Sequence, residues 1–513
     1  MSDHNSGDDD RRSFTSRTPA NANPDRVTYR RGFVTRHQVT GWRFIMRRIA
    51  SGVALHDTRM LVDPLRSQSR AVLMGVLVVI TVVLGCFVFS LIRPGGVAGD
   101  NAILADRDTA ALYVRVNDEL HPVLNLTSAR LIAGQAVNPV QVKSSELDKF
   151  PRGGVIGIPG APERMVQNTS RDADWTVCDG TGAAPQGVTV IAGAHASGGE
   201  RAAALSDGSA VLVDNGSTNG PVTWLLWGGR RSPIDLADRA VTSALGLGVD
   251  IAAPQSISPG LFNAIPESAA LAAPAIPGAG APPQFPLPVP APVGAVVVSY
   301  GADDTLLYYA VLPDGLQPVS PVLAAVLRNT NSYGLSQPPR LGADDIARLP
   351  ASRVIDTVAY PTQRLTLVDP QAAPVTCARW TKPVDAATRS LTLLSGSALP
   401  LVDGVRTVDL VGGGQDGAAT RVALTPGTGY FAQTVGQEPA SPAAGSLFWV
   451  ADTGLRYGIE GGQNPDQVDK TVAALGLTMP PTPVPWSVLA LFSAGPALSR
   501  ADALTAYAGT ENR

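Results

Sequence analysis

The chain has 513 residues, enough for two to four domains, with 16% charged side chains and a formal net charge of −3. That balance gives no electrostatic reason to expect nucleic-acid binding. The 52 glycines and 43 prolines point to many short elements joined by turns.

Residues 1–25, rich in Ser, Asn, Pro and acids, read as a disordered cytoplasmic tail. Residues 26–70 form an Arg-rich arm with ten arginines against Asp57 and Asp63. Within it, TRHQVTGWRFIMRRIASGVAL (35–55) sets Val39, Trp42, Ile45 or Met46, Ile49 and Val53 at helical spacing, with Arg43, Arg47 and Arg48 elsewhere on the helix. Such a helix can lie on anionic lipid headgroups or dock on a cytoplasmic protein. Trp42 and Phe44 offer an anchor beyond charge, which favours partner docking with some lipid contact. The run 71–92 carries no charge and as a helix spans about 33 Å, enough for a bilayer core. The arginine excess before it predicts a cytoplasmic N-terminus and an outer, periplasmic portion beyond residue 93.

After a linker (93–111), one pattern recurs: hairpin, helix, Pro-bearing connector, short helix. It begins with LYVRVNDELHPV (112–123), TWLLWGGRRSPI (223–234), LYYAVLPDGLQPV (307–319) and LFWVADTGLRYGI (447–459). The helical stretches that follow are 125–134, 237–248, 320–331 and 469–477. Repeats are assigned to 112–165, 223–275, 306–356 and 447–505, before a tail at 506–513. Between them, β-rich core halves at 166–222 and 357–446 carry DWTVCDG and APVTCARW. IPGAGAPPQFPLPVPAP (276–292) cannot form helix or central strand, and 276–305 reads as a semi-rigid Pro-rich linker. The expected fold class is α+β: one N-terminal transmembrane helix, then an elongated periplasmic domain of four ββα-type repeats around a β-rich core. Cys178 and Cys377 are the two cysteines of the outer portion; they either bridge the core halves or stay two separate buried thiols. Cys86 falls in the membrane run.

Signals for catalysis are missing. None of the four lysines follows a glycine, so no Walker A phosphate loop exists. GGGQDG (412–417) and DNGSTNG (214–220) read as turns. The five histidines, His195 and His121 included, show no metal-ligand spacing and no nucleophile elbow accompanies them. Trp224, Trp227, Trp449 and Trp486 are expected in core packing rather than in a sugar-stacking site. No catalytic residue, metal or cofactor is assigned.

The stretches TRHQVTGWRFIMRR, DTRMLVDPLRSQSR, ADRDTAALYVRV, LNLTSARLI, FPRG and IGIPGAP together resemble the EccB family of mycobacterial type VII (ESX) secretion systems. The resemblance covers nearly the whole chain from about residue 27, and is greatest to the paralogue of the ESX system linked to iron and zinc acquisition. It implies an inner-membrane component that assembles with EccC, the motor ATPase, and with EccD and EccE. It also implies a self-associating periplasmic domain of four repeats, likened in the family to peptidoglycan-binding modules of a phage lysin. Carried onto this sequence, it makes Cys178 and Cys377 a disulfide, and Arg36, Trp42, Arg43, Phe44, Arg47 and Arg48 partner contacts. The expected function is a structural subunit for protein export across the mycobacterial envelope, in support of iron and zinc homeostasis. The alternatives are a peptidoglycan-binding anchor and an ATPase subunit, as family members are labelled; the missing Walker motif assigns ATP hydrolysis to EccC.

Overall fold

The computed structural model describes residues 34–56, 64–92, 96–182, 184–215, 222–248, 251–411, 413–414, 417–438, 441–442, 444–460 and 465–507. The tail 1–25, part of the arm, and parts of GGGQDG and DNGSTNG lie outside them. The chain forms two compact units, Met1–Gly95 and Gly96–Arg513.

In the first unit, α1 (Arg36–Leu55) opens with a capping box at Thr35, whose backbone N–H donates to Gln38 Oε1 at 3.0 Å. It ends at His56 in the left-handed region, φ 54°. The second helix, α2 (Pro64–Ile92), starts on a proline, which is tolerated in the first turn. Its stretch Gln68–Phe89 is, among the described residues, the one helix long and apolar enough to cross a membrane. Thr81 Oγ1 donates to Leu77 O at 2.8 Å, so that hydroxyl needs no water inside the span.

The second unit is mixed α/β and rich in strands. In its first segment β1 (Ile103–Asp106) precedes the hairpin β2 (Leu112–Val116) and β3 (Glu119–Pro122), then come α3 (Leu126–Ala133), β4 (Val140–Val142), α4 (Ser144–Leu147) and β5 (Val155–Ile156). The sheet order is β3-β2-β1-β4, with β4 parallel to β1. Parallel bridges Leu120↔Arg152 and Val123↔Ile156 lay the following segment along β3. The hairpin turns on Asn117 and Asp118, both at positive φ (49° and 65°), the twist a two-residue hairpin loop requires.

The chain then contributes β6 (Ala173–Gly180), β7 (Thr189–Ala192) and β8 (Ala203–Ala204) to a central sheet. Next, β9 (Ser209–Asp214), β10 (Thr223–Trp227), β11 (Arg230–Pro233), α5 (Arg239–Leu245), β12 (Gln255–Ser256) and α6 (Pro259–Ala264) repeat the first arrangement, in the order β11-β10-β9-β12. Here too a later segment runs parallel to the second hairpin strand, through Arg231↔Glu267 and Ile234↔Leu271. The Pro-rich segment has neither helix nor strand over 276–292; Phe285, Leu287 and Val289 pack against the next sheet. That sheet comprises β13 (Val296–Tyr300), β14 (Leu306–Val311) and β15 (Leu316–Val319), followed by α7 (Pro321–Thr330) and α8 (Ala343–Arg348). Parallel bridges Val298↔Arg340 and Leu316↔Ala351 complete the same pattern.

A short strand, β16 (Thr366–Leu367), reaches back to pair with β9. The central sheet then gains β17 (Val375–Lys382), β18 (Ser390–Gly396), β19 (Val408–Asp409) and β20 (Arg421–Ala423). Last come β21 (Gly429–Val435), β22 (Leu447–Ala451), β23 (Leu455–Ile459), α9 (Pro465–Leu475), β24 (Thr482–Pro485), α10 (Trp486–Leu489), β25 (Ser493–Ala494), α11 (Arg500–Ala503) and β26 (Ala506–Tyr507). Their sheet order, β24-β21-β22-β23-β25, has β24 parallel to β21 and β25 parallel to β23.

Sequence periodicity located the four hairpins but not the strand ahead of each: β1, β9, β13 and β21. Most of their consecutive residues are buried, so both faces are covered and no apolar-polar alternation marks them. Side-chain caps start four of the described α-helices: Asn125 accepts from Ser128 N, Asp238 from Ala240 N and Val241 N, Ser320 from Leu323 N, and Ser499 from Asp502 N. The helices pack in pairs, α3 on α9 through Leu131, Val472 and Leu475, and α5 on α7 through Val241, Leu245, Val322 and Val326.

The central sheet has the order β19-β20-β7-β6-β17-β18-β8. At its middle, β6 and β17 run antiparallel over eight residue pairs. Cys178 faces Cys377, and a disulfide joins them across a Cα–Cα distance of 4.0 Å and a sequence separation of 199. In the chain-entropy picture, closing so long a loop contributes on the order of 5 kcal/mol. The double variant C178A/C377A is therefore expected to unfold at lower urea than the parent, by about 2–5 kcal/mol. Oxidised and reduced parent should differ by a similar amount. Equal midpoints for all three would show that the bond contributes nothing.

Candidate functional site

Two places bring together the residues that sequence reasoning singled out. On α1, Arg36, Trp42, Arg43, Phe44, Arg47 and Arg48 are all exposed, Trp42 by 62% and Phe44 by 55%. The helix holds four arginines and no acid.

The other place is the central sheet. Because side chains alternate along a strand, residues three positions apart point to opposite faces. Cys178 and Cys377 lie on one face with Ile191, Val375, Leu394 and Ala423. Trp175 and Trp380 lie on the other, paired across the same two strands and almost fully buried. Trp175 stacks edge-on to Tyr430, ring centres 5.1 Å apart. At the sheet end Arg379 grips Asp174 with two hydrogen bonds, 2.9 and 2.7 Å, and reaches His195 Nε2 at 3.3 Å. A guanidinium N–H can donate only to an unprotonated ring nitrogen. Burial, and then the charge of Arg379, accordingly lower the His195 pKa from its ordinary 6.5, against the pull of Asp174. Among the described residues, no hydroxyl or thiol nucleophile is hydrogen-bonded to His195, so the cluster holds two core halves together rather than forming a catalytic relay.

The remaining expected positions are structural. His121 Nδ1 lies 3.0 Å from Gly154 O, tying hairpin to following segment. Trp224, Trp227 and Trp449 are buried, at 8%, 8% and 2% exposure. Trp486 departs from the core placement expected of it: it is 51% exposed, because it opens α10 and no preceding turn covers its ring. Phe448 and the Arg456 guanidinium flank it, at 6.1 and 5.3 Å. Among the described residues, no group of three or more His, Cys, Asp or Glu could hold a metal. A cavity of about 690 Å³ lies among α3, α9 and α11, bearing Glu460, Lys470 and Arg500. Its Ser499 Oγ caps α11 by accepting from the Asp502 backbone N–H at 3.0 Å and donates to the Asp502 carboxylate at 2.7 Å, and no histidine lines the cavity.

Sequence reasoning missed two arginines. Arg231 donates to Phe262 O and, at 2.6 Å, to Ile265 O; Arg456 donates to Ala490 O, at 3.3 Å, and to Phe492 O. Each occupies the same place in its hairpin and satisfies the carbonyls at the end of a short helix, α6 or α10. Burial lowers the pKa of both from the usual guanidinium value. The visible signal was an Arg recurring at one hairpin position in the second and fourth copies.

His195 binds fewer protons folded than unfolded at pH near its ordinary pKa, so its contribution is intact above pH 6.5 and is lost as pH falls through that value. Acidification from about pH 7.5 to about pH 5.5 is expected to lower the thermal midpoint, and H195Q to flatten part of that slope. An unchanged slope in H195Q would assign the acid sensitivity elsewhere.

Residues 31–511 match the family model described as "Type VII secretion system ESX-1, transport TM domain B". The ESX-3 secretion system ATPase EccB3 of Mycolicibacterium smegmatis is 68% identical over 499 residues, covering 97% of this chain and 96% of that protein. The ESX-5 secretion system ATPase EccB5 of Mycobacterium marinum is 36% identical, covering 93% and 94%. The structure of an EccB3 dimer from the ESX-3 core complex is 64% identical with a TM-score of 0.69, covering 79% of this chain and 100% of that one. A chain of an intact ESX-5 inner membrane complex is 35% identical with a TM-score of 0.70, covering 94% and 98%. By sequence and by fold, over both the helical arm and the strand-rich unit, this chain belongs to the EccB family of type VII (ESX) secretion proteins.

Proposed function

We propose that the chain is a structural and assembly subunit of an ESX-type inner-membrane secretion complex. The observation that carries this reading is the likeness to a chain of the intact ESX-5 inner membrane complex over 94% of this sequence. In this reading α2 spans the membrane once, α1 is cytoplasmic and residues 96–513 are periplasmic. The ten arginines before the span support that orientation. The four sheets, each with a hairpin paired to the strand that precedes it, are copies of one module, and residues 96–513 self-associate; the EccB3 dimer of a 64% identical relative supports the latter. The arm, with Arg36, Trp42, Arg43, Phe44, Arg47 and Arg48, docks the chain to the complex with some contact to lipid; the other members of that complex are EccC, EccD and EccE. The system served is that of EccB3, with export in support of iron and zinc homeostasis.

Removing residues 1–60 is expected to abolish co-purification of the other membrane subunits while leaving residues 96–513 folded and oxidised. Retained co-purification would sink the docking role. The relatives' names include the word ATPase. Lacking a phosphate loop, the purified full chain is expected to hydrolyse ATP only when the motor subunit is present. Turnover that survives removal of the motor and that a point substitution in this chain abolishes would overturn the assignment.

A further inference from the structure

The arm helix carries two different surfaces, and they point to two different neighbours. At roughly 100° per residue, Val39, Trp42, Ile45, Met46, Ile49 and Val53 fall within an arc of about 120° on α1. All six are exposed, from 38% at Val39 to 74% at Val53. Arg36, Arg43 and Arg47 line one side of that arc and Arg48 the other. Phe44, 55% exposed, sits almost opposite the arc's centre.

An apolar stripe flanked on both sides by cations, with no acid anywhere in the helix, matches the boundary between acyl chains and headgroup phosphates. Arginine suits that boundary, because its stem can lie along apolar surface while its planar head takes phosphate with two hydrogen bonds. The chain also holds the helix close to a bilayer. Eight residues separate Leu55 from Pro64, and fully extended they reach at most about 30 Å. Resting on the reading that α2 spans the membrane, we infer that α1 lies in the cytoplasmic headgroup layer. Its apolar stripe faces the acyl chains, its arginines bind anionic lipid phosphates, and Phe44 is left facing the cytoplasm as the protein-docking contact. The partner of the stripe is an anionic lipid surface. A protein groove is the rival, and it would need to supply both apolar cover and acidic side chains along two flanks.

The test uses the full chain in proteoliposomes, with C86S to remove the free thiol and one fluorescent label at I45C or F44C. In vesicles containing phosphatidylglycerol, the label at position 45 should be quenched by nitroxide on lipid acyl chains and protected from iodide in the water. The label at position 44 should show the reverse. In phosphatidylcholine alone, or with R36Q/R43Q/R47Q, the position-45 label should become several-fold more open to iodide. Indistinguishable quenching at the two positions in anionic vesicles overturns the inference. So does protection of position 45 that arises only when the other membrane subunits are added, which would make the stripe a protein-docking face. Either result leaves the subunit role standing, since that role is read separately by co-purification.

Discussion

The antiparallel pairing of β6 with β17 is the constraint on which the second unit depends. It joins residues about 200 apart in sequence, and its register alone sets Cys178 against Cys377 and Trp175 against Trp380. The strands around it are interleaved. From the first half come β6, β7 and β8, yet β8 lies beyond β18, and β20 of the second half lies beside β7. Neither half completes the sheet alone. The exchange continues outside it, where β16 adds to β9 and Gln167 bridges to Gly429 at the start of β21. A chain built this way gains its long-range contacts together or not at all, so the disulfide closes a loop that the sheet has already specified.

The outer sheets show how one strand order can carry different side chains. At the hairpin position that bridges to the following segment stand Leu120, Arg231, Leu316 and Arg456. The apolar pair occurs in the first and third segments and the arginine pair in the second and fourth. Where leucine stands, the side chain is buried, almost completely at Leu120. Where arginine stands, its head satisfies the last carbonyls of a short helix that would otherwise be left without donors. The helix pairs follow the same logic: α5 meets α7 as α9 meets α3. Polar side chains on the hairpins are used as local fasteners, His121 on Gly154 O and Gln317 on Ile355 O.

Much of this was legible in the residues. The membrane run, the arm helix and the four hairpins declare themselves through length, 3.6-residue periodicity and paired turn residues such as Asn117-Asp118 and Gly228-Gly229. The bond between Cys178 and Cys377 was one of two readings until pairing brought their Cα atoms to 4.0 Å. The strands β1, β9, β13 and β21 were illegible, since a strand covered on both faces shows no alternation. Asp174, Arg379 and His195 could not be grouped either, because only the β6–β17 register makes residues 205 apart neighbours. Trp486 was misjudged because hydrophobicity says nothing about which residue of a four-residue helix is left uncovered.

The two units carry independent marks of the compartments they suit. A disulfide persists where the surroundings are oxidising, and those surroundings lie outside the cytoplasmic membrane. An arginine-rich segment next to a span stays on the cytoplasmic side, because moving its charges through the bilayer is costly and anionic lipid holds them there. The first mark rests on residues 178 and 377, the second on residues before 71. They share no side chain, yet both support the same orientation of α2. The strand-rich unit is clipped at its centre by a disulfide, and the cationic helix α1 is tied by eight residues to α2.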